Sequence, residues 1–154
     1  MITSQIYYNP FIAITLTILC LSACAANPPN TSLYERIGGL PVLTVVVDET
    51  IDQVSQDPKT KRSFEGIKLP KLKESIVSHL CSITGGSCQY EGETMANAHH
   101  DAKISTAEFE VFVSTFRDTL NRHVNTREKN ELLKILAPMK RDIVSSEPAK
   151  PTNP

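Results

Sequence analysis

Tryptophan is absent from the 154 residues, and the remaining aromatics are four tyrosines and five phenylalanines. So few rings exclude the stacked platforms on which single-stranded nucleic acids are bound. No segment repeats, which excludes solenoids and propellers. Charge of one sign is also missing: the net charge is -1, and the Lys and Arg residues are scattered among Asp and Glu. Without a basic stripe, nucleic acid is not expected as a partner. No glycine-rich nicotinamide or flavin fingerprint occurs, and no pair of Cys/His clusters sits at zinc spacing. What remains has room for one domain, with a folded unit of about 115 residues.

The chain does contain one apolar run. Phe11 to Ala23 is apolar apart from Thr15, Thr17 and Ser22, too short for a comfortable membrane span. A short run ending in small residues is the pattern of a secretory signal peptide. Leu21-Ser22-Ala23-Cys24 resembles the bacterial lipobox, in which the peptide is cut before the Cys and that Cys receives lipid. Residues 1–23 are then expected as signal peptide and Cys24 as the lipidated first residue of the mature protein. No Lys or Arg precedes Arg36, so the usual positive segment is missing, and an uncleaved anchor or an ordinary cleaved signal stays open. Each of these readings exports the domain, to the periplasmic side of a bacterial membrane. With Ala25 rather than Asp after Cys24, sorting leans to the outer membrane.

Export alters the expectation for Cys81 and Cys88, because an oxidising compartment closes thiol pairs. They bracket Gly85-Gly86 and either form a disulfide or remain two buried thiols. Residues 24–31 form a polar, proline-bearing tether and residues 145–154 a tail with three prolines. Neither shows apolar periodicity, so both are expected to be disordered.

Between them the punctuation is helical. Ser32 to Glu35 and Ser105 to Glu108 read as capping boxes, and Pro41, Pro58 and Pro70 suit first helical turns. Leu69, Leu72, Ile76, Leu80 and Ile83 share one helical face, ending at Thr84-Gly85-Gly86. Phe109, Phe112, Phe116 and Leu120 form a second stripe, and Leu132, Leu136, Met139 and Ile143 a third, which Pro138 should kink or divide. A short helix is expected near Met95 to Asp101. The class is all-α, with four histidines, His79, His99, His100 and His123; spacing alone singles out none of them.

The residues from Ser32 to Val144 resemble the group I truncated globins, short globins built as a two-over-two helical sandwich. The resemblance is carried by Leu33-Tyr34-Glu35-Arg36-Ile37-Gly38-Gly39, Phe64, Gly85-Gly86 with Tyr90-Glu91-Gly92, Met95-Ala96-Asn97-Ala98-His99, and Leu132-Leu133 with Ala137-Pro138-Met139. It makes residues 32–144 the globin domain and haem the cofactor. It also makes His99 the proximal ligand to the iron, a role that suits neutral imidazole. His100 would point about 100° away around a helix and is expected at the surface; His123 falls at a helix end, where imidazole suits the helix dipole.

On the distal side the resemblance places Ile51, preceded by Thr50, where relatives often carry a ligand-binding tyrosine. Leu72 and Ile76 face the bound gas, and Ser75 stands where some relatives supply a second histidine. The implied pocket is apolar, with Phe64 packing on the porphyrin. His79 either borders it, swings towards the iron or is partly exposed, and Lys71 and Lys73 either reach haem propionates or are solvated. Distal donors matter more for dioxygen than for carbon monoxide or nitric oxide, so oxygen should leave quickly. The expected function is reversible binding of a diatomic gas. The alternatives are a nitric oxide dioxygenase or small-oxidant reductase needing an external electron donor, such as an unknown reductase partner, and a lipoprotein of globin shape that has lost haem.

Overall fold

The computed structural model describes residues 31–145. The expected signal peptide, the lipobox with Cys24, and nearly all of the expected tether and tail lie outside the described residues. Seven α-helices follow in order among the described residues: α1 (Leu33–Ile37), α2 (Gly39–Val54), α3 (Leu69–Ile83), α4 (Met95–His99), α5 (Thr106–His123), α6 (Thr126–Leu136) and α7 (Lys140–Ile143). Short 3-10 turns at Lys61–Phe64 and Ala137–Met139 interrupt them.

Local chemistry sets the boundaries. Ser32 Oγ accepts from the Glu35 amide at 3.2 Å while the Glu35 carboxylate accepts from the Ser32 amide, so both expected capping boxes are present, the second at Ser105 and Glu108. Such a cap satisfies amides that a helix start leaves without partners. Pro70 lies in the first turn of α3. Pro138 divides the last stripe, because a proline nitrogen cannot donate within a helix; α6 stops at Leu136 and α7 starts at Lys140.

Pro58 departs from expectation. It lies in a run of turns after α2, and no helix starts there. Asp57 Oδ1 accepts from the Lys59 amide at 2.8 Å, and the Thr60 hydroxyl donates to the Val54 carbonyl at 2.5 Å. An aspartate that bonds the backbone two residues on makes a turn in place of a helix.

α2 packs on α3 in one layer, α5 on α6 in the other, and the α2 to α5 contact joins the layers. This is a two-over-two sandwich. α1 packs on α2 and α6, and its Tyr34 amide donates to the Thr84 carbonyl at the end of α3. Leu43, Val46, Val47, Ile51 and Val54 of α2 are buried together with Leu80, Phe116, Leu120 and Leu132. Each such side chain contributes about 1.5–3 kcal/mol. α2 is therefore the hub, with buried residues at helical spacing along its whole length.

Candidate functional site

α4 is the shortest route to the site. Thr94 caps it, its hydroxyl accepting from the Asn97 amide at 3.2 Å, and the helix has only five residues, none of them buried. His99 ends it. The His99 Nδ1–H donates to the Met95 carbonyl at 2.7 Å, since a carbonyl can only accept. The tautomer is thereby set: Nε2 carries the free lone pair and points away from the backbone bond. This is how a histidine is prepared to ligate a metal, one nitrogen held by the protein and the other free to bind.

His100 differs in every respect. Its side chain is exposed and its Nδ1 lies 2.9 Å from Asp101 Oδ1. His123 ends α5 and pairs with Glu49 at 2.9 Å, beside Arg122 at 2.7 Å from the same carboxylate. Hydrogen bonds from Arg122 and His123 hold the Glu49 carboxyl below its ordinary range. This cluster ties α5 to α2, a contact the sequence did not signal because the partners are 74 residues apart.

α3 presents Leu72, Ile76 and His79, all partly buried. Leu72 and Ile76 pack against the core, as do Phe64 and Phe112. Ile51 is fully buried and Thr50 donates its hydroxyl to the Val46 carbonyl at 2.7 Å, within its own helix. That hydroxyl is thus occupied by the backbone. Lys73 is drawn to α2, with Asp52 at 2.8 Å and Asp48 at 3.4 Å. This acidic pair is a partner that neither reading of Lys73 named; Lys71 is exposed.

His79 is the unusual member. Both ring nitrogens are buried without a hydrogen-bond partner, and Tyr90 packs edge-on against the ring at 4.7 Å. Burial lowers its pKa and keeps the imidazole neutral. The Tyr90 contact was not foreseen; only the order of residues on α3 hinted that His79 faced inward.

The loop from α3 to α4 is covalently tied. Cys81 and Cys88 are joined by a disulfide with their Cα atoms 5.8 Å apart. A side chain at Gly86 would collide with Cys81 Sγ, so only glycine permits the bridge to wrap this closely.

A family model described as Bacterial-like globin matches residues 32–145. The chain is a bacterial-like globin. Among curated globins, it is 30% identical over 122 residues to the Group 1 truncated hemoglobin GlbN of Mycolicibacterium paratuberculosis, covering 79% of this chain and 90% of that one. It is 28% identical over 97 residues to the protein of the same name in Nostoc commune, covering 63% and 75%. The globin is thus a group 1 truncated haemoglobin. Its fold is similar to truncated hemoglobin from Tetrahymena pyriformis in the Fe(III) form, with a TM-score of 0.70, 21% identity and coverage of 75% of this chain and 100% of that one. The 2/2 hemoglobin of a Synechococcus species is similar at a TM-score of 0.69 and 23% identity, covering 74% and 98%.

The residues present fit haem. Among the described residues no group of three or more His, Cys, Asp or Glu could hold a metal ion by itself. His99 offers one free nitrogen. Leu72, Ile76, Phe109, Phe112, Leu136 and Met139 stay half-buried while the α2 face is fully buried. A flat apolar group would complete their burial.

Proposed function

We propose that His99 is the single protein ligand to a haem iron, and that Phe64, Leu72, Ile76 and Ile51 form the apolar surroundings of the bound gas. The coarser statement follows from family membership: this is a haem-binding globin that takes up a diatomic ligand. The observation carrying the assignment is the His99 to Met95 hydrogen bond, which holds the ring and leaves Nε2 free. When bound, haem supplies an iron with an open coordination position for the gas. The chain supplies orientation at His99 and exclusion of water by aliphatic side chains.

No tyrosine stands at Ile51, and the Thr50 hydroxyl is engaged by Val46. Leu72 and Ile76 have no polar atoms to offer. Selectivity for dioxygen over carbon monoxide is therefore low, and reversible binding with rapid oxygen release is the reading that suits these residues.

We further propose that the globin works outside the cytoplasm as a lipoprotein anchored through Cys24. The lipobox sequence supports this reading, and so does a disulfide, a bond characteristic of oxidising compartments.

The test is an absorption spectrum of the purified protein with haem. A Soret band is expected, with His99→Ala losing the axial imidazole signature and added imidazole restoring it. An unchanged spectrum in the variant would remove His99 from the iron, and failure of the wild type to take up haem would overturn the function itself.

A further inference from the structure

We propose that the Cys81–Cys88 disulfide is a thiol-sensitive latch that positions His99, so that the iron environment of this globin responds to the thiol state of its surroundings. The inference rests on His99 as the iron ligand. It begins with the weakness of α4. A five-residue helix with no buried residue cannot fix its own position, since short helices depend on tertiary contacts. α4 leans on α7, and the loop that leads into it constrains its start.

That loop is clamped onto α3 at successive points. The disulfide holds Cys88 to Cys81, the Gly86 amide donates to the Cys81 carbonyl at 2.9 Å, and the Ser78 hydroxyl donates to the Gln89 carbonyl at 3.1 Å. Tyr90 then packs on His79 and its hydroxyl donates to the Glu93 carbonyl at 2.9 Å. Its ring also lies so close over Gly92 that a side chain there would overlap it. Thr94, next after Glu93, caps α4. A continuous line of contacts therefore runs from Cys88 to the helix that ends in His99.

The clamp is opposed from within. Tyr90 packs edge-on against an imidazole whose two nitrogens are buried and unpartnered, a cost in free energy that water would return if the loop lifted. The disulfide holds the loop against this cost. With the bond open, this opposition would favour lifting of the loop, the bias a switch requires.

Opening the bond has a balanced chemistry. A small dithiol attacks the sulfur of Cys88, which is partly exposed, whereas Cys81 is fully buried. Cys81 leaves as thiolate and takes a proton. The second thiol of the reagent resolves the mixed disulfide, releasing the Cys88 thiol. Two electrons and two protons pass to the protein, and the dithiol becomes a disulfide. Cys81, Cys88 and Tyr90 are positioning residues; none is assigned a contact with the gas.

The experiment uses the full chain with haem, in the ferrous state under argon in every arm, so that thiol reagent leaves the iron valence unchanged. The iron–histidine stretching band and amide exchange at residues 86–94 are read before reduction with dithiothreitol, after it, and after reoxidation. A reversible band shift, with exchange in the loop faster by about tenfold or more, is expected. Tyr90→Ala should move the band in the same direction with the disulfide intact. Cys81→Ser/Cys88→Ser should resemble the reduced protein and ignore dithiothreitol. Superimposable bands in the oxidised and reduced wild type, or an equal response in the double variant, would overturn the latch. A protein that takes up haem and fails these comparisons loses the latch alone; one without a His99-dependent spectrum loses the functional reading as well.

Discussion

His99 and Met95 are joined through a single turn of helix, Nδ1–H of the histidine donating to the methionine carbonyl at 2.7 Å. The bond depends on α4 being helical, because only a helix places a carbonyl one turn behind the ring. Thr94 secures that turn. Thr94→Ala should weaken the helix by about 1 kcal/mol, seen as haem loss to an acceptor globin faster by about fivefold. Equal rates of loss would separate α4 stability from haem retention.

The apolar distal surroundings predict ligand kinetics. Leu72→Gln places an amide donor at a half-buried position on α3 and should slow oxygen dissociation by about tenfold, with a much smaller effect on carbon monoxide. Stopped-flow displacement measures both. A slow oxygen off-rate already in the wild type would contradict the proposed pocket.

Glu108 links the Lys61–Phe64 turn to α5. Burial opposes its ionisation, yet hydrogen bonds from Ser105, Arg62 and Ser63 prevail and hold its carboxyl at about 2, against an ordinary 4.5. Between these values the unfolded chain binds more protons than the folded one, so this contribution is present above pH 4.5 and lost as pH falls towards 2. Glu108→Gln should cost roughly 1–2 kcal/mol at neutral pH and flatten the acid limb of a denaturation profile. A variant whose acid unfolding matches wild type would exclude Glu108 as a source of it.

His79→Leu removes two buried nitrogens without partners. Exchange for an apolar side chain should leave stability unchanged or raise it by about 1 kcal/mol, read as a higher Tm. A lower Tm would mean the imidazole has a partner in the folded protein. In the wild type, the lowered pKa of His79 adds a destabilisation that begins as pH falls below 6.5.

Lys73→Ala tests the acidic pair on α2. The bridges to Asp52 and Asp48 span the surface, so the loss should stay under about 1 kcal/mol. Haem affinity should not change. A marked rise in haem loss would return Lys73 to the propionates.

Much of this molecule was legible in one dimension. Ser32 with Glu35, Ser105 with Glu108, Gly85-Gly86 and Pro138 act through neighbours within a few residues, and the helices begin and end accordingly. The stripe at Leu43, Val46, Val47, Ile51 and Val54 is written at helical spacing in the same way. Pro58 misled because proline suits a turn as well as a helix start, and Asp57 with Thr60 selects between them.

The sequence by itself determined the all-α class, the positions of the caps and, through the order and spacing of its motifs from Leu33 to Met139, the globin family. Those features are local, or are held in the order of residues along the chain. Only the tertiary structure decided that Cys81 meets Cys88, that Tyr90 covers His79, that Lys73 turns to Asp52 and that His123 meets Glu49. Each is a choice among several partners of suitable chemistry, settled by how α3 and the loop after it pack, and by the approach of α2 to α5. The same physics separates His99 from His100: adjacent in sequence, they diverge because one turn of helix holds the first ring to the backbone and leaves the second at the surface.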